Sequence, residues 1–289
     1  MAWADLSDVR CYYELIGDGE PLLLIPGLGV NCRGWDSAVP ELAEHFTLIL
    51  ADNRGTGRSV GRRHPQTLAD FCADLVELLD HLQLERAHVL GLSLGGMIAQ
   101  RLAIDHPGRV DRLVLMSCTD RFSPYLRQVA TILAHCVRHF SWGMFQRTVE
   151  VLGTAPQFWD GNAEKIEQRI AAKCATTESR SSVVRQLRCL SSSELDERDY
   201  RIAAPTLVIA GDQDALIPSC YAKQMADKIP NSQFLLIHGA GHNPLQETPE
   251  QVVGPIIQFL NNRSVSPGGA PGASLTGFDA PFSEVAGCL

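Results

Sequence analysis

Short apolar runs alternate with amphipathic segments over much of the chain, and this alternation constrains the fold more than any other feature. The run FTLILAD (46–52) predicts a buried strand, and TLADFCADLVELLDHL (67–82) predicts a helix whose leucines share one face. AHVLG (87–91) predicts the next strand, and LGGMIAQRLAIDHPG (94–108) predicts a helix that ends at its Pro-Gly. Apolar runs follow at VDRLVLMS, PTLVIAG and FLLIHG. This order of elements predicts an α/β protein.

The alternation lapses between about residues 120 and 200, where aromatic residues are frequent and the pattern is helical. We therefore expect a core formed by residues 1–120 and 200–263, with a helical cap inserted at 121–199. Residues 264–289 are rich in Gly, Pro, Ser and Ala, which predicts a flexible tail. Gly254 and Pro255 lie inside the predicted closing helix (249–261), so a kink or break is expected there.

Charge and cysteine usage exclude several classes of protein. A net charge of −8 argues against nucleic acid as a partner, because phosphate binding needs a concentrated basic surface. No apolar run approaches the ~20 residues that a membrane-spanning helix needs. The N-terminal residues do not resemble a signal peptide. Nine scattered cysteines without a C-x-x-C pair argue against disulfides or a zinc site, and we expect reduced thiols in a cytoplasmic protein. The oligomeric state stays open.

The stretch GLSLGG (91–96) places Ser93 between glycines, at the point where a predicted strand passes into a helix. A sharp turn there brings the residues two before and two after the serine close together, so Gly91 and Gly95 fit because a Cβ would clash. The turn also puts Ser93 at a helix N-terminus, where free N–H groups favour negative charge. The context predicts that Ser93 is a nucleophile.

A serine hydroxyl needs a base, and the chain offers nine histidines. His242, in HGAGHNPLQETPE, follows the last predicted strand on an irregular loop, from which it reaches a neighbouring loop. His238 at a strand end, His88 within a strand and His106 at a helix end are better suited to structural roles. We therefore predict His242 as the base. The other interpretation is a loop histidine bonded to backbone.

The base in turn needs an orienting carboxylate. AGDQDALIP (210–218) follows a predicted strand and offers Asp212 and Asp214. Asp212 lies nearer the turn, where Asp commonly bonds its own backbone, so Asp214 is preferred. Asp120, after a different strand, is a further alternative.

Two backbone N–H groups are candidates for holding an oxyanion. Leu94 follows the serine at the start of the helix, and Leu28 lies in the glycine-rich loop LIPGLGVNCRGW (24–35). An ordinary turn is the alternative interpretation of PGLG, but the other motifs favour the oxyanion loop.

With these residues in place, the sequence resembles the α/β-hydrolase superfamily over residues 9–120 and 200–261. The resemblance rests on PGLG (26–29), DNRGTGRS (52–59), GLSLGG (91–96), GDQDALIP (211–218) and GAGHNPLQETP (239–249). Within the superfamily the chain is most similar to the small esterase and lactonase branch, including the 3-oxoadipate enol-lactonase and haloperoxidase-like perhydrolase families. Pro26 stands where many relatives have histidine, while Ser93 argues against the branches that use an aspartate nucleophile.

This resemblance implies a mostly parallel eight-stranded sheet flanked by helices, with an inserted helical cap. It also implies cleavage of a carboxylic ester or lactone through an acyl-enzyme, by a Ser–His–Asp triad without metal or cofactor. Two alternatives stay open: perhydrolysis on the same triad, and a non-catalytic small-molecule receptor.

The cap offers hints about the substrate. Residues 121–190 hold ten basic and five acidic residues, a net charge of +5 against −13 for the rest of the chain. Such a cap is suited to steering an anionic ester or lactone, although basic side chains on solvated helix faces give the same count. Three aromatic residues are candidates for the substrate pocket: Trp142, Phe145 and Trp159.

Overall fold

A computed structural model describes residues 2–65, 67–175, 180–192 and 201–261. Within these residues the strands form a single sheet. In chain order they are β1 (Ala2–Asp5), β2 (Val9–Ile16), β3 (Glu20–Ile25), β4 (Phe46–Ala51), β5 (Val60–Gly61), β6 (Ala87–Leu92), β7 (Val110–Met116), β8 (Thr206–Gly211) and β9 (Ser232–Ile237). The predicted tail at 264–289 lies outside the described residues.

The sheet has the order β1-β2-β4-β3-β6-β7-β8-β9, and the two-residue β5 pairs with β2 beside this path. From β4 through β9 along the path, every neighbouring pair is parallel. The pairs that involve β2 are antiparallel. The predicted eight-stranded, mostly parallel sheet is therefore confirmed, with β5 as a ninth, short addition.

Helices cover both faces of the sheet. In chain order they are α1 (Val39–Leu42), α2 (Leu68–His81), α3 (Leu94–Asp105), α4 (Pro124–His139), α5 (Trp142–Gly153), α6 (Pro156–Gly161), α7 (Ala163–Ala175), α8 (Arg180–Ser192), α9 (Ser219–Ala226), α10 (Pro244–Glu247) and α11 (Pro249–Asn261). Apolar side chains of α2, α3 and α9 pack on one face, and those of α1 and α11 pack on the other. The central strands are buried on both sides, which explains why they are continuous apolar runs in the sequence.

The described residues between β7 and β8 form α4 to α8, and we call these five helices the cap. Helix α5 packs against α4 and α7, while α4 also packs against α8. Ser123 and Ser141 cap α4 and α5 by accepting hydrogen bonds from the N–H groups of Leu126 and Met144. The cap therefore lies along the chain where the β–α alternation lapses.

Helix α11 runs from Pro249 to Asn261 without the break expected at Gly254 and Pro255. Its apolar face, which includes the fully buried Val252 and Ile256, packs on the sheet and holds the helix together despite the missing proline N–H. None of the helices in the described ranges is long and apolar enough to cross a membrane.

Candidate active site

Ser93 lies on a tight turn between β6 and α3, in a backbone conformation that L-residues rarely adopt. Its φ and ψ are 57° and −117°. The Ser93 N–H donates to the carbonyl of Met116 at 2.9 Å, and its own carbonyl accepts from the Met97 N–H at 3.1 Å. Strain of this kind persists only where the surroundings hold it, and it concentrates at functional sites.

The glycines around Ser93 are needed because backbone approaches too closely for any side chain. A Cβ on Gly91 would lie 2.3 Å from the carbonyl oxygen of Gly95, and one on Gly95 would lie 2.0 Å from that of Ile25. The predicted close approach across the turn is confirmed at Gly91, whereas the clash at Gly95 comes from the backbone of β3. These close approaches hold α3 against β3 and β6, with Ser93 at the carboxyl edge of the sheet.

Asp214 and His242, which follow β8 and β9, are brought together at the same edge. The Nδ1 of His242 lies 2.7 Å from Oδ2 of Asp214. Oδ1 of Asp214 accepts the N–H groups of Leu216 and Ile217 at 2.8 and 2.9 Å. The carboxylate is fully buried yet well supplied with donors, which is how a buried anion is stabilised.

The alternative carboxylates and histidines lie elsewhere. Asp212 pairs with the exposed His238 at 3.0 Å, and its other oxygen accepts the Gly239 N–H. Asp120 forms an ion pair with Lys228 at 2.6 Å. The buried His88 contacts Glu20 at 3.1 Å, and His106 caps the end of α3. Of these groups, only Asp214 is bonded to His242 in the part of the chain that the structure describes.

A cavity of about 150 Å³ lies between the sheet edge and the cap, and both Ser93 and His242 line it. Most of its wall is apolar and includes Leu28, Phe122, Leu126, Leu133, Phe145 and Leu187. Apolar lining with a few convergent polar groups is typical of a small-molecule site.

Of the three aromatic residues expected in the pocket, only Phe145 lines the cavity. Trp142 stacks on Phe145 with ring centroids 5.0 Å apart, and its Nε1 donates to the carbonyl of Lys173 at 3.3 Å. It thus packs behind Phe145 instead of facing the cavity. Trp159 lies on the short α6 and is not part of the lining. The expectation is therefore corrected for both tryptophans.

The two predicted oxyanion donors lie on segments next to Ser93. A Cβ on Gly27 would be 3.5 Å from that of Ser93, so the 26–30 loop passes directly beside the serine. The N–H of Leu28 has no hydrogen-bond acceptor among the described residues. Leu94 is the first residue of α3, and N–H groups in the first turn of a helix have no acceptor within it. Their role stays a prediction.

The cap contacts the loops that carry Asp214 and His242, which the sequence analysis missed. The carbonyl of Gly153, at the end of α5, accepts the His242 N–H at 2.6 Å, and that of Leu152 accepts the Ala215 N–H at 3.1 Å. No pattern signals such backbone contacts, because the partners lie far apart along the chain.

Glu247, within the quoted motif GAGHNPLQETP, also joins the cap to this edge. Its Oε2 accepts the N–H groups of Ala155 and Gly241 at 2.9 and 3.1 Å. Burial raises the pKa of Glu247 above its usual value, although the backbone donors oppose this. Its position in the motif was the signal available to find it.

At the cap end of the cavity one carboxylate is paired with two cations. The Glu150 carboxylate lies 2.7 Å from Nζ of Lys173 and 2.5 Å from Nη2 of Arg169. Burial alone would raise the pKa of Glu150, but the two cations together lower it below its usual value. Among the described residues, no cluster of three or more His, Cys, Asp or Glu side chains is arranged to hold a metal ion.

Known proteins match this chain over most of its length. A family model described as the alpha/beta hydrolase fold matches residues 20–249. A candidate carbamate hydrolase, RutD, from Azorhizobium caulinodans is 28% identical over 250 residues, covering 86% of this chain and 94% of that protein. The solved structure of a thermophilic esterase from Thermogutta terrifontis is 28% identical, with a TM-score of 0.78 over 89% of this chain and 95% of its own. An enol-lactonase from Burkholderia xenovorans shares the fold with a TM-score of 0.81 at 22% identity, over 90% and 99% of the two chains.

Proposed function

The chain belongs to the α/β-hydrolase family, and on that premise we propose that it is a serine hydrolase that cleaves a carboxylic ester or lactone through an acyl-enzyme. One observation carries the proposal: His242 is bonded to the buried Asp214 and lines the same cavity as Ser93 on its strained turn. A receptor has no need of a buried carboxylate–imidazole pair beside a strained serine.

In the proposed reaction, Oγ of Ser93 attacks the carbonyl carbon while Nε2 of His242 removes the hydroxyl proton. Asp214 accepts a hydrogen bond from the Nδ1–H group of His242. This bond holds the tautomer that leaves Nε2 free, and the carboxylate stabilises the imidazolium. The N–H groups of Leu28 and Leu94 stabilise the oxyanion. His242 then protonates the leaving alkoxide, and afterwards activates water to release the acid from Ser93.

The chemistry of the cavity supports a substrate with an uncharged acyl portion. The wall near Ser93 is apolar, and the cap cations that line the cavity are engaged with Glu150. Because these two cations already have a carboxylate partner, they are less able to attract an anionic substrate, and the case for steering an anionic ester or lactone is weaker. An esterase and an enol-lactonase among the similar proteins fit this choice of ester or lactone.

Labelling by a fluorophosphonate tests the proposal directly, because the probe reacts only with an activated serine. We expect stoichiometric labelling of the unaltered protein and no labelling of Ser93→Ala. We also expect the unaltered protein to hydrolyse 4-nitrophenyl esters or lactones. A folded protein that takes no label and hydrolyses neither class would instead be a receptor. Formation of peracid from acetate and peroxide, at a rate above ester hydrolysis, would favour perhydrolysis.

A further inference from the structure

The inner face of α5 carries a buried amide that the proposed reaction does not use. Gln146 is only 6% exposed and lines the cavity. Its side chain makes no hydrogen bond with any residue that the structure describes. The amide Oε1 and Nε2 are accessible from the cavity, so a ligand group that enters the cavity can pair with them. Gln146 therefore marks a place in the cavity where a ligand supplies hydrogen bonds.

Arg169 lines the same end of the cavity but has its polar atoms occupied or enclosed. Its Nη atoms bond Glu150 and Gln246, and its Nε is buried away from the cavity. Glu150 is one helical turn beyond Gln146 on α5, so Arg169 lies close to that amide. Gln146 therefore supplies the polar atoms that a ligand can reach, one acceptor at Oε1 and two N–H donors at Nε2.

The charges around this end of the cavity favour a neutral ligand group. Arg169 and Lys173 line the cavity together with the carboxylates of Glu150 and Glu247, two cations against two acids. With both carboxylates ionised the formal charges cancel, so this end of the cavity has no excess positive charge to attract a substrate carboxylate. A neutral group with a carbonyl oxygen beside an N–H matches the available acceptor and donors.

We infer that the cap end of the cavity is a subsite for a neutral amide-type group of the substrate, with Gln146 as the residue that selects it; this rests on the proposed hydrolysis at Ser93. Gly153 contacts His242, and Gln146 lies seven residues earlier on α5. At 1.5 Å per residue, the subsite is about 10 Å along the helix axis from the base. The selected group is therefore remote from the reacting carbonyl.

Esters of 4-nitrophenol with acyl chains that span this distance test the subsite, with the chain ending in a carboxamide, a methyl or a carboxylate. We expect the carboxamide ester to have the highest kcat/KM, and Gln146→Leu to lower that value about tenfold. The short acetyl ester does not reach Gln146, so Gln146→Leu is expected to lower its kcat/KM by a smaller factor than that of the carboxamide ester. Gln168→Leu, the same substitution on the exposed face of α7, is the matched control.

Preference for the methyl or carboxylate ester in the unaltered protein would overturn the subsite, as would an equal loss on all esters in Gln146→Leu. Binding separates this inference from the proposed function. Calorimetry of the carboxamide ester in the Ser93→Ala background, with and without Gln146→Leu, reports the subsite without turnover. If the amide preference persists in binding while no ester is hydrolysed, the proposed reaction fails and the subsite stands.

A second, independent observation concerns α8, which holds the 26–30 loop. Oε1 of Gln186 accepts the Gly29 N–H at 2.9 Å, and its Nε2 donates to Oγ1 of Thr56 at 2.7 Å. Gln186 is 1% exposed. Gly29 has a φ of +62°, so the loop turns sharply at the residue after Leu28.

The geometry points to Gln186 as a positioning residue for the proposed oxyanion donor of Leu28. Its hydrogen bond fixes the peptide that joins Leu28 to Gly29, and a small error in donor direction is costly in the transition state. Gln186 acts through the backbone of this loop, and the proposed reaction assigns it no contact with substrate.

Substitution of Gln186 by leucine is expected to lower kcat about tenfold with little change in KM, because only transition-state binding is lost. The inhibition constant of a trifluoromethyl ketone, which forms an oxyanion on the serine, should rise by the same factor. Gln186→Glu is expected to retain more activity, since a protonated glutamate is nearly isosteric.

Ser182→Ala controls for general docking of α8. Its hydroxyl donates to the carbonyl of Gly55 at 2.5 Å and does not contact the 26–30 loop, so kcat should stay near the unaltered value. An equal effect of Ser182→Ala and Gln186→Leu, or a raised KM with kcat unchanged, would show that Gln186 has no positioning role.

Discussion

Ser93→Ala is expected to lower kcat for ester hydrolysis by about a millionfold, the loss typical of removing a serine nucleophile. The variant has neither the oxygen that forms the acyl-enzyme nor a partner for His242. Residual turnover then comes from binding and the oxyanion donors alone. The measurement is steady-state hydrolysis of the best substrate, with the absence of a burst of leaving group as a second sign.

Ser117→Ala is the matched control for this substitution. Ser117 also has a positive φ, of 48°, and it directly follows β7, but it is fully buried and its Oγ has no partner among the described residues. We expect Ser117→Ala to keep kcat within a few-fold. If Ser93→Ala retained a tenth of the activity while folded, Ser93 would not be the nucleophile.

The candidate site could be located from the sequence because its residues directly follow apolar runs. Ser93, Asp214 and His242 come after β6, β8 and β9, and the carboxyl ends of parallel strands meet at one edge of a sheet. The clash of a Cβ on Gly91 with Gly95 is also local, so the spacing of these two glycines was informative. Local rules of this kind apply wherever the relevant partners are near in sequence.

The cap was less predictable because its packing depends on partners that are remote along the chain. Composition indicates helices with aromatic residues but not which side faces the cavity, so Trp142 and Trp159 were assigned to the pocket together with Phe145. The contact of Gln186 with Gly29 joins residues 157 positions apart. The prediction of a break in α11 was wrong for a related reason, since burial of the helix against the sheet outweighs the local effect of Pro255.

Asp214→Asn is expected to lower kcat by about 10⁴-fold without loss of folding. Because two backbone N–H groups donate to Oδ1, the amide oxygen of the new side chain stays on them, and its NH₂ then faces Nδ1 of His242. An NH₂ donates, so Nδ1 must be the unprotonated nitrogen and Nε2 carries the proton. In this tautomer Nε2 of His242 has no free lone pair with which to remove the proton of Ser93.

The same substitution at Asp212 separates this effect from a general loss of charge at the sheet edge. Asp212 is bonded to the exposed His238, so Asp212→Asn is expected to change kcat less than twofold. Both variants should be compared by kcat against pH and by thermal unfolding. A large loss in Asp212→Asn, or near-normal kcat in folded Asp214→Asn, would remove Asp214 from the proposed triad. If kcat falls in Asp214→Asn but not in Asp212→Asn, the 2.7 Å contact between Asp214 and His242 sets which nitrogen of the base carries the proton.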